Sequence, residues 1–170
     1  SFSCSASSLS LALLSRRSYS CFREVANVAA LFSRIAFAND SSVFSRVQII
    51  GTRGTGVGQF NKPRSLATDR ADNLYVADMT GRIQVFTADG EYLRGWTTPE
   101  SYNGKPSGLC FANDGNLMVA DTHYFRMLVY TKEGKLLERR TIGGVNGHGH
   151  GEFNFVTDCQ QDAAGNYYIS

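Results

Sequence analysis

Apolar residues recur with a period of two over short stretches of this chain. In "NLYVAD" (73–78), Leu74 and Val76 share one side, and in "RIQVFT" Ile83 and Val85 do the same. This period predicts β-strands rather than helices. The stretches "RADN", "ADGE", "ANDGN" and "KEGK" put Asp, Asn or Gly between such runs, which is the chemistry of hairpin turns. The first unit is therefore predicted to hold four short antiparallel strands, at about 64–69, 73–78, 82–87 and 91–96.

The strand pattern is repeated along the chain. The segment 62–96 aligns with 105–140, and a third copy begins at 155–170. Most matched positions of the first two copies are 43 residues apart: Pro63 with Pro106, Leu66 with Leu109, Asn73 with Asn116 and Asp78 with Asp121. A repeat of this length made of four antiparallel strands is typical of a blade, and blades repeated radially form an all-β fold, the β-propeller.

The residues of these repeats resemble those of the NHL-repeat propellers. "NLYVADMTGRIQVFTADGEYLRGW" and "NLMVADTHYFRMLVYTKEGKLL" show a strand ending in V-A-D, a short turn, an Arg-led strand and a D-G or E-G turn. The resemblance covers about residues 50–170 and implies six blades in a complete propeller, so that this chain forms a partial one. The N-H pair that names the family is replaced by "TG" before Arg82 and by "YF" before Arg126. These turns are therefore expected to serve something other than the family's usual packing.

Residues 1–45 differ in style from the propeller segment 46–170. They are rich in Ser, they carry Arg16, Arg17 and Arg23 ahead of the apolar "VANVAALFS", and "AFA" then has the form of a signal-peptidase site. This order favours export to a periplasm or the extracellular space. The charges of Glu24 and Arg34 at the two ends of the apolar stretch argue against a cleavable signal. A disordered or mistranslated leader, and a cytoplasmic protein, remain the alternative.

The charge balance narrows the class of partner. Residues 46–170 hold 13 Lys and Arg against 13 Asp and Glu, so the predicted propeller is neutral. A neutral domain lacks the basic footprint of nucleic-acid binding, which disfavours the single-stranded RNA binding of some animal NHL proteins. No stretch approaches the roughly 20 apolar residues of a membrane span. The cysteines are too widely spaced for a disulfide framework, and Cys110 and Cys159 are interpreted as small apolar residues of the core.

One face of the propeller is predicted to gather the candidate site. Strands alternate in direction within a blade, so the turn between strands two and three lies on the same face as the linker between blades. All three histidines fall on this face. The candidate ligand-binding residues there are His123, Tyr124, Arg53, Asp78 and Asp121, and the candidate metal ligands are His123, His148 and His150. Capping of turn amides is the commoner role for aspartates placed like Asp78 and Asp121, and Arg82 and Arg126 are expected to brace neighbouring strands.

The glycine-rich stretch around His148 and His150 has an internal counterpart. "GTGVGQFNKP" (54–63) aligns with "GHGHGEFNFV" (147–156), and the histidines take the places of Thr55 and Val57. The glycine spacing is therefore a property of the interblade linker and needs no metal. Each linker is expected to place its phenylalanine, Phe60 or Phe153, in the seam between blades.

Two functions follow as hypotheses. The first is a non-catalytic scaffold that binds a protein, peptide or glycan partner through the loop-rich face, since the sequence shows no nucleophile elbow, no H-E-x-x-H and no Ser/His/Asp set. The alternative is a metal-dependent lyase or hydrolase with histidine ligands, resembling the propeller of the peptidyl-hydroxyglycine amidating lyase. Zinc or another divalent metal would be its cofactor, because about three protein ligands and an open position suffice for catalytic zinc.

Overall fold

The computed structural model describes residues 47–170, and the predicted leader, residues 1–45, lies outside them. The regular secondary structure of these residues consists of β-strands and two 3-10 helices, Thr122–Tyr124 and Glu138–Arg140. The strands are β1 Thr52–Arg53, β2 Gln59–Phe60, β3 Pro63–Thr68, β4 Leu74–Asp78, β5 Arg82–Phe86, β6 Tyr92–Thr97, β7 Pro106–Phe111, β8 Leu117–Asp121, β9 Arg126–Tyr130, β10 Ile142–Gly143, β11 Cys159–Gln161 and β12 Tyr167–Ile169.

The strands form blades as the repeat predicts. Strands β3, β4, β5 and β6 make one antiparallel sheet, here called blade 1, and β7, β8, β9 and β10 make a second, blade 2. The antiparallel pair β11 and β12 begins blade 3. The strands of blade 1 lie within about one residue of their predicted positions, because period-two alternation and hairpin turns are both local signals.

The fourth strand of blade 2 is interrupted. Leu137 N–H donates to the Val129 carbonyl at 2.8 Å, as an edge strand requires, but residues 138–140 then form a 3-10 helix. The chain returns to the sheet only at Ile142, opposite Met127. The interrupted segment reads Glu-Arg-Arg and has no apolar side chain to bury, whereas Arg140 gains an ion pair with Asp114 at 2.5 Å. The alignment with blade 1 therefore overestimates the continuity of this strand.

Blades pack face to face, so their inner strands are buried on both sides. Tyr75 and Ala77 of β4 face blade 2, whereas Val76 faces the other way, against Phe60 and Phe86. A second apolar cluster joins blade 2 to blade 3; its buried members are Cys110, Ala112, Met118, Ala120, Met127, Val129, Val156 and Cys159. Each fully buried aliphatic side chain contributes roughly 1.5–3 kcal/mol. Apolar clusters on both faces of blade 2 therefore join the three blades.

A glycine in blade 2 provides a test of this packing. Gly134 has φ +92° in the turn between β9 and β10, and a Cβ there would lie 2.5 Å from the Trp96 ring of blade 1. We expect Gly134→Ala to lower the free energy of unfolding by about 2–4 kcal/mol, because backbone strain and overpacking add. Gly115 has φ +82° with nothing near its Cβ position, so Gly115→Ala should cost only about 1 kcal/mol. Equal losses in denaturant titrations would contradict the role of Trp96.

Among residues 47–170, no helix has the length and apolar character needed to span a bilayer.

Candidate functional site

In blade 1, the turn after β4 is bonded to the linker that precedes β3. The Asp78 carboxylate is 1% exposed and accepts hydrogen bonds from the Thr80 amide at 2.8 Å, the Asn61 amide at 3.1 Å and Arg82 Nη2 at 2.7 Å. Burial opposes its ionisation, but the hydrogen bonds from Thr80, Arg82 and the Asn61 amide outweigh that effect and lower the pKa of Asp78 from its ordinary 3.8. Asp78 therefore anchors the linker, as the sequence suggests for such aspartates.

Arg82 completes this anchor. Its guanidinium donates to the carbonyl oxygens of Thr55, of Gly56 at 2.9 Å and of Gln59 at 3.0 Å. Gln84 adds a bond to the Gln59 carbonyl at 2.7 Å. Arg82 thus holds the glycine-rich linker on the blade, in addition to its place at the start of β5.

Asp121 occupies the same repeat position in blade 2 but has different partners. Its Oδ2 accepts from Arg126 Nε at 2.8 Å, whereas its buried Oδ1 has no hydrogen-bond partner. Burial raises the pKa of Asp121, and the hydrogen bond and charge of Arg126 only partly offset this. The extra residue in "THYF" turns this segment into a 3-10 helix, in which Phe125 N–H donates to the Thr122 carbonyl. No amide of this turn is therefore aimed at Asp121 as that of Thr80 is at Asp78.

Tyr124, a predicted ligand-binding residue, packs between Arg126 and the linker before blade 2. Its ring lies under the Arg126 guanidinium, 4.8 Å from the ring centroid, and its hydroxyl donates to the Glu100 carbonyl at 3.2 Å. A Cβ on Gly104 would lie 2.3 Å from this ring, so the linker backbone packs directly against Tyr124. Arg126 also pairs with Glu100 at 2.8 Å. These contacts join the linker before blade 2 to the turn of the same blade.

Three aromatic side chains form a cluster on the loop face, here called the aromatic patch: the exposed His123 and Phe155 and the half-buried Phe125. The Phe155 ring lies edge-on to His123 at 6.1 Å and to Phe125 at 5.8 Å between centroids, and it is 55% exposed. Phe125 has φ +52° and Phe155 has φ +55°, both in the left-handed region. The sequence gives a partial signal for this patch in the "YF" that replaces the family's usual turn, but Phe155 comes from a different blade.

The two glycine-rich linkers have the same structure, as their alignment predicts. Asn146 and Phe153 form a parallel bridge like that of Arg53 and Phe60, the one between β1 and β2. The Glu152 carboxylate accepts from the Gly149 amide at 2.9 Å, as the Gln59 side chain accepts from Gly56 at 3.0 Å. Phe60 is buried beneath its linker, and Phe153 packs against the cluster between blades 2 and 3. The glycine spacing serves this loop geometry.

The predicted metal ligands are not assembled by the part of the chain that the structure describes. Within residues 47–170, no group of three or more His, Cys, Asp or Glu side chains is placed to hold a metal ion. His148 and His150 are exposed at the tip of the linker before blade 3, whereas His123 packs against Phe155. The glycine loop closes on Glu152 and leaves both of its histidines exposed. Arg53, a predicted ligand-binding residue, lies on the exposed strand β1 before blade 1.

Comparison with known proteins shows a similarity to NHL-repeat proteins. No protein-family model matches the sequence. The human NHL repeat-containing protein 3 is 39% identical to the chain over 92 residues, which are 52% of this chain and 26% of that protein. The described residues form part of a β-propeller, and its repeats are NHL-like. This NHL-like propeller spans about a quarter of the length of that curated relative.

Solved structures share the fold of the NHL-like propeller. Virginiamycin B lyase from Staphylococcus aureus superposes with a TM-score of 0.51 and 13% identity, over 64% of this chain and 34% of the lyase. A catalytically inactive form of that lyase with quinupristin gives a TM-score of 0.52 at 13% identity, over 70% and 36% of the two chains. Identities this low show the fold alone. The activity of those proteins is not thereby an activity of this chain.

Proposed function

We propose that this NHL-like propeller is a binding scaffold whose loop face holds a protein, peptide or glycan partner at the aromatic patch. The observation that carries the proposal is the pair of phenylalanines, Phe125 and Phe155, held in left-handed backbone conformations. Such a conformation costs an L-residue roughly 1–2 kcal/mol. Strain of this kind persists where the surrounding structure enforces it, and it clusters at functional sites.

Comparison of the repeats indicates that the fold itself does not require these phenylalanines. Blade 1 has Gly81, with φ +80°, before its Arg-led strand, where blade 2 has Phe125. Lys62, with φ +52°, stands where the linker before blade 3 has Phe155. A glycine or a lysine therefore satisfies the same turns. Neither ring belongs to the buried core, and Phe155, which is 55% exposed, contributes apolar surface of the kind that marks interaction sites.

The chemistry of the aromatic patch favours one class of partner. Aromatic rings held on rigid backbone supply contact area at low entropic cost, and they are enriched at the energetic centres of protein interfaces. Arg126, which follows Phe125 in the chain, is already paired with both Glu100 and Asp121. We therefore expect a protein or peptide partner that inserts a large apolar side chain, with a glycan as the other arm of the test. No observation in residues 47–170 specifically favours the lyase alternative.

A peptide library displayed on phage tests this function. The library is panned on the wild-type protein, and the Kd of each enriched peptide is measured for wild type and for Phe155→Lys. We expect at least a ~30-fold weaker Kd for the variant, which corresponds to a hot spot of about 2 kcal/mol. Lysine is suitable because Lys62 adopts the same backbone conformation in the first linker, so the variant should fold.

Val57→Lys is the matched control. Val57 is a 70% exposed apolar residue of the first glycine-rich linker, and its replacement should leave peptide binding unchanged. A glycan array probed with the same three proteins covers the other partner class. Enriched ligands that bind Phe155→Lys as tightly as wild type, or no enrichment from either library, would contradict the proposal.

A further inference from the structure

Two cysteines from different blades meet in the core. Cys110 lies on β7 of blade 2 and Cys159 on β11 of blade 3, and their Sγ atoms are 2.8 Å apart. This distance is shorter than the separation of about 3.5–4.0 Å at which non-bonded carbon atoms rest, and sulfur is larger than carbon. The two residues are 6% and 2% exposed. The sequence interpretation of both as buried core residues is confirmed, but it did not anticipate that they touch.

The repeats show that this contact is particular to one seam. At the seam between blades 1 and 2, the equivalent positions hold Ala67 and Leu109, which is ordinary apolar packing. At the seam between blades 2 and 3, both positions hold cysteine. Cys110 stands where blade 1 has Ala67, and Cys159 stands where blade 2 has Leu109. Since the fold accepts alanine and leucine here, packing alone does not call for a facing pair of cysteines.

The surroundings of the pair suit a structural bond rather than a reactive thiol. A hydrogen bond to Cys110, together with burial, raises the pKa of the Cys159 thiol. Reactive cysteines have lowered pKa values and lie in exposed, electropositive sites. Once the seam is closed, the Cys159 thiol is therefore a poor nucleophile. Any covalent chemistry between the two thiols belongs to folding, while the seam is still open.

We propose that Cys110 and Cys159 form a disulfide bond that joins blade 2 covalently to blade 3. The oxidant is a thiol–disulfide exchange partner, either oxidised glutathione or a protein disulfide. One cysteine thiolate attacks the partner's disulfide and releases one thiolate, and the second cysteine thiolate attacks the resulting mixed disulfide and releases the other. Overall, the two protein thiols lose two electrons and two protons, and the partner's disulfide becomes two thiols.

Such a bond would reinforce the seam at which blade 3 begins. Blade 3 enters with the short strand β11, after a linker that contains the aromatic residue Phe155. A crosslink across a loop of this length stabilises mainly by restricting the unfolded chain. It would also hold the linker before blade 3 against blade 2, where Phe155 meets His123.

Peptide mapping tests the bond directly. The protein is refolded with a reduced and oxidised glutathione couple, alkylated under denaturing conditions and digested with trypsin. We expect the peptide of residues 95–126 to be disulfide-linked to the peptide that begins at Thr141. Cys4 and Cys21 fall in other tryptic peptides and do not confuse the result. Alkylated or glutathione-capped cysteines at both positions, without the linked species, would overturn the proposal.

Thermal unfolding with and without a reductant gives an independent readout. Reduction should lower the unfolding midpoint of wild type by on the order of 10 °C. It should leave Cys110→Ala, which restores the residue of blade 1, unchanged. Cys159→Leu, which restores the residue of blade 2, serves as a second variant if the first does not fold. An equal response to reductant in wild type and in the variant would count against the bond.

Discussion

Replacing Asp78 by Asn is expected to lower the free energy of unfolding by about 2–4 kcal/mol, whereas the same change at the aligned Asp121 should cost less than about 1 kcal/mol. The difference comes from hydrogen-bond donors. Both Asp78 oxygens accept, from two backbone amides, the Thr80 hydroxyl and Arg82. An Asn side chain has an NH2 group in place of one carboxylate oxygen, and this NH2 group would face hydrogen-bond donors in either orientation.

Asp121 offers no such set of donors to lose. Among residues 47–170 only Arg126 donates to it, and Arg126 keeps its second partner, Glu100, when Asp121 becomes Asn. The Oδ1 atom is buried without a partner, so the charge of Asp121 is poorly compensated. The neutral amide removes that buried charge and offsets much of the lost ion pair. The two substitutions therefore compare one repeat position in two electrostatic environments.

Ionisation of the two aspartates should change the free energy of unfolding in opposite directions. The pKa of Asp78 is lowered on folding, so its stabilisation is present above the ordinary pKa of 3.8 and is lost as pH falls through the folded value. The pKa of Asp121 is raised, so ionisation of Asp121 costs stability as pH rises from 3.8 through its folded value. Urea titrations between about pH 3 and pH 8 measure both slopes. Parallel profiles for Asp78→Asn and Asp121→Asn would show that their environments are alike.

The fold was predictable because its determinants are local. Period-two alternation, Asp-Gly turns and the 43-residue repeat each depend on a few neighbouring residues. The shared linker geometry was also predictable, since aligned glycines imply aligned backbone. The interruption at 138–140 was not, because the aligned segment of blade 1 is a continuous strand, and the Arg140–Asp114 ion pair that accompanies the interruption joins residues distant in sequence.

The candidate site was predictable only as a face. The alternation of strand direction correctly joins the turn at 122–125 to the linkers, yet it cannot say which side chains meet across them. The contact of Tyr124, a predicted ligand-binding residue, with Arg126 is one that the strand alternation did not predict. Phe155 was not singled out, although it is the residue that contacts His123. The contact between Cys110 and Cys159 was missed for the same reason, since it joins positions one residue out of step in neighbouring repeats.

Phe125→Gly and Phe125→Ala are expected to bind a patch ligand equally poorly, about 30-fold more weakly than wild type, yet to differ in stability. Both substitutions remove the Phe125 ring, which contacts Phe155. This ring is part of the surface that a partner would cover. Only glycine relieves the left-handed backbone at φ +52°. We therefore expect the glycine variant to be more stable than the alanine variant by about 1 kcal/mol in denaturant titrations.

This pair separates the ring from the backbone. If the aromatic patch is the binding site, removal of the Phe125 ring should lower the affinity for the ligand. The backbone conformation of residue 125 should determine the difference in stability between the two variants. If the glycine variant keeps wild-type affinity for the enriched peptides, the ring has no part in recognition. If instead the alanine variant is as stable as the glycine variant, the backbone of Phe125 is not strained, and the strain that supports the proposed function is absent. The expected combination, lost binding with relieved strain, would mean that residue 125 is kept aromatic at a cost in stability because a partner requires it.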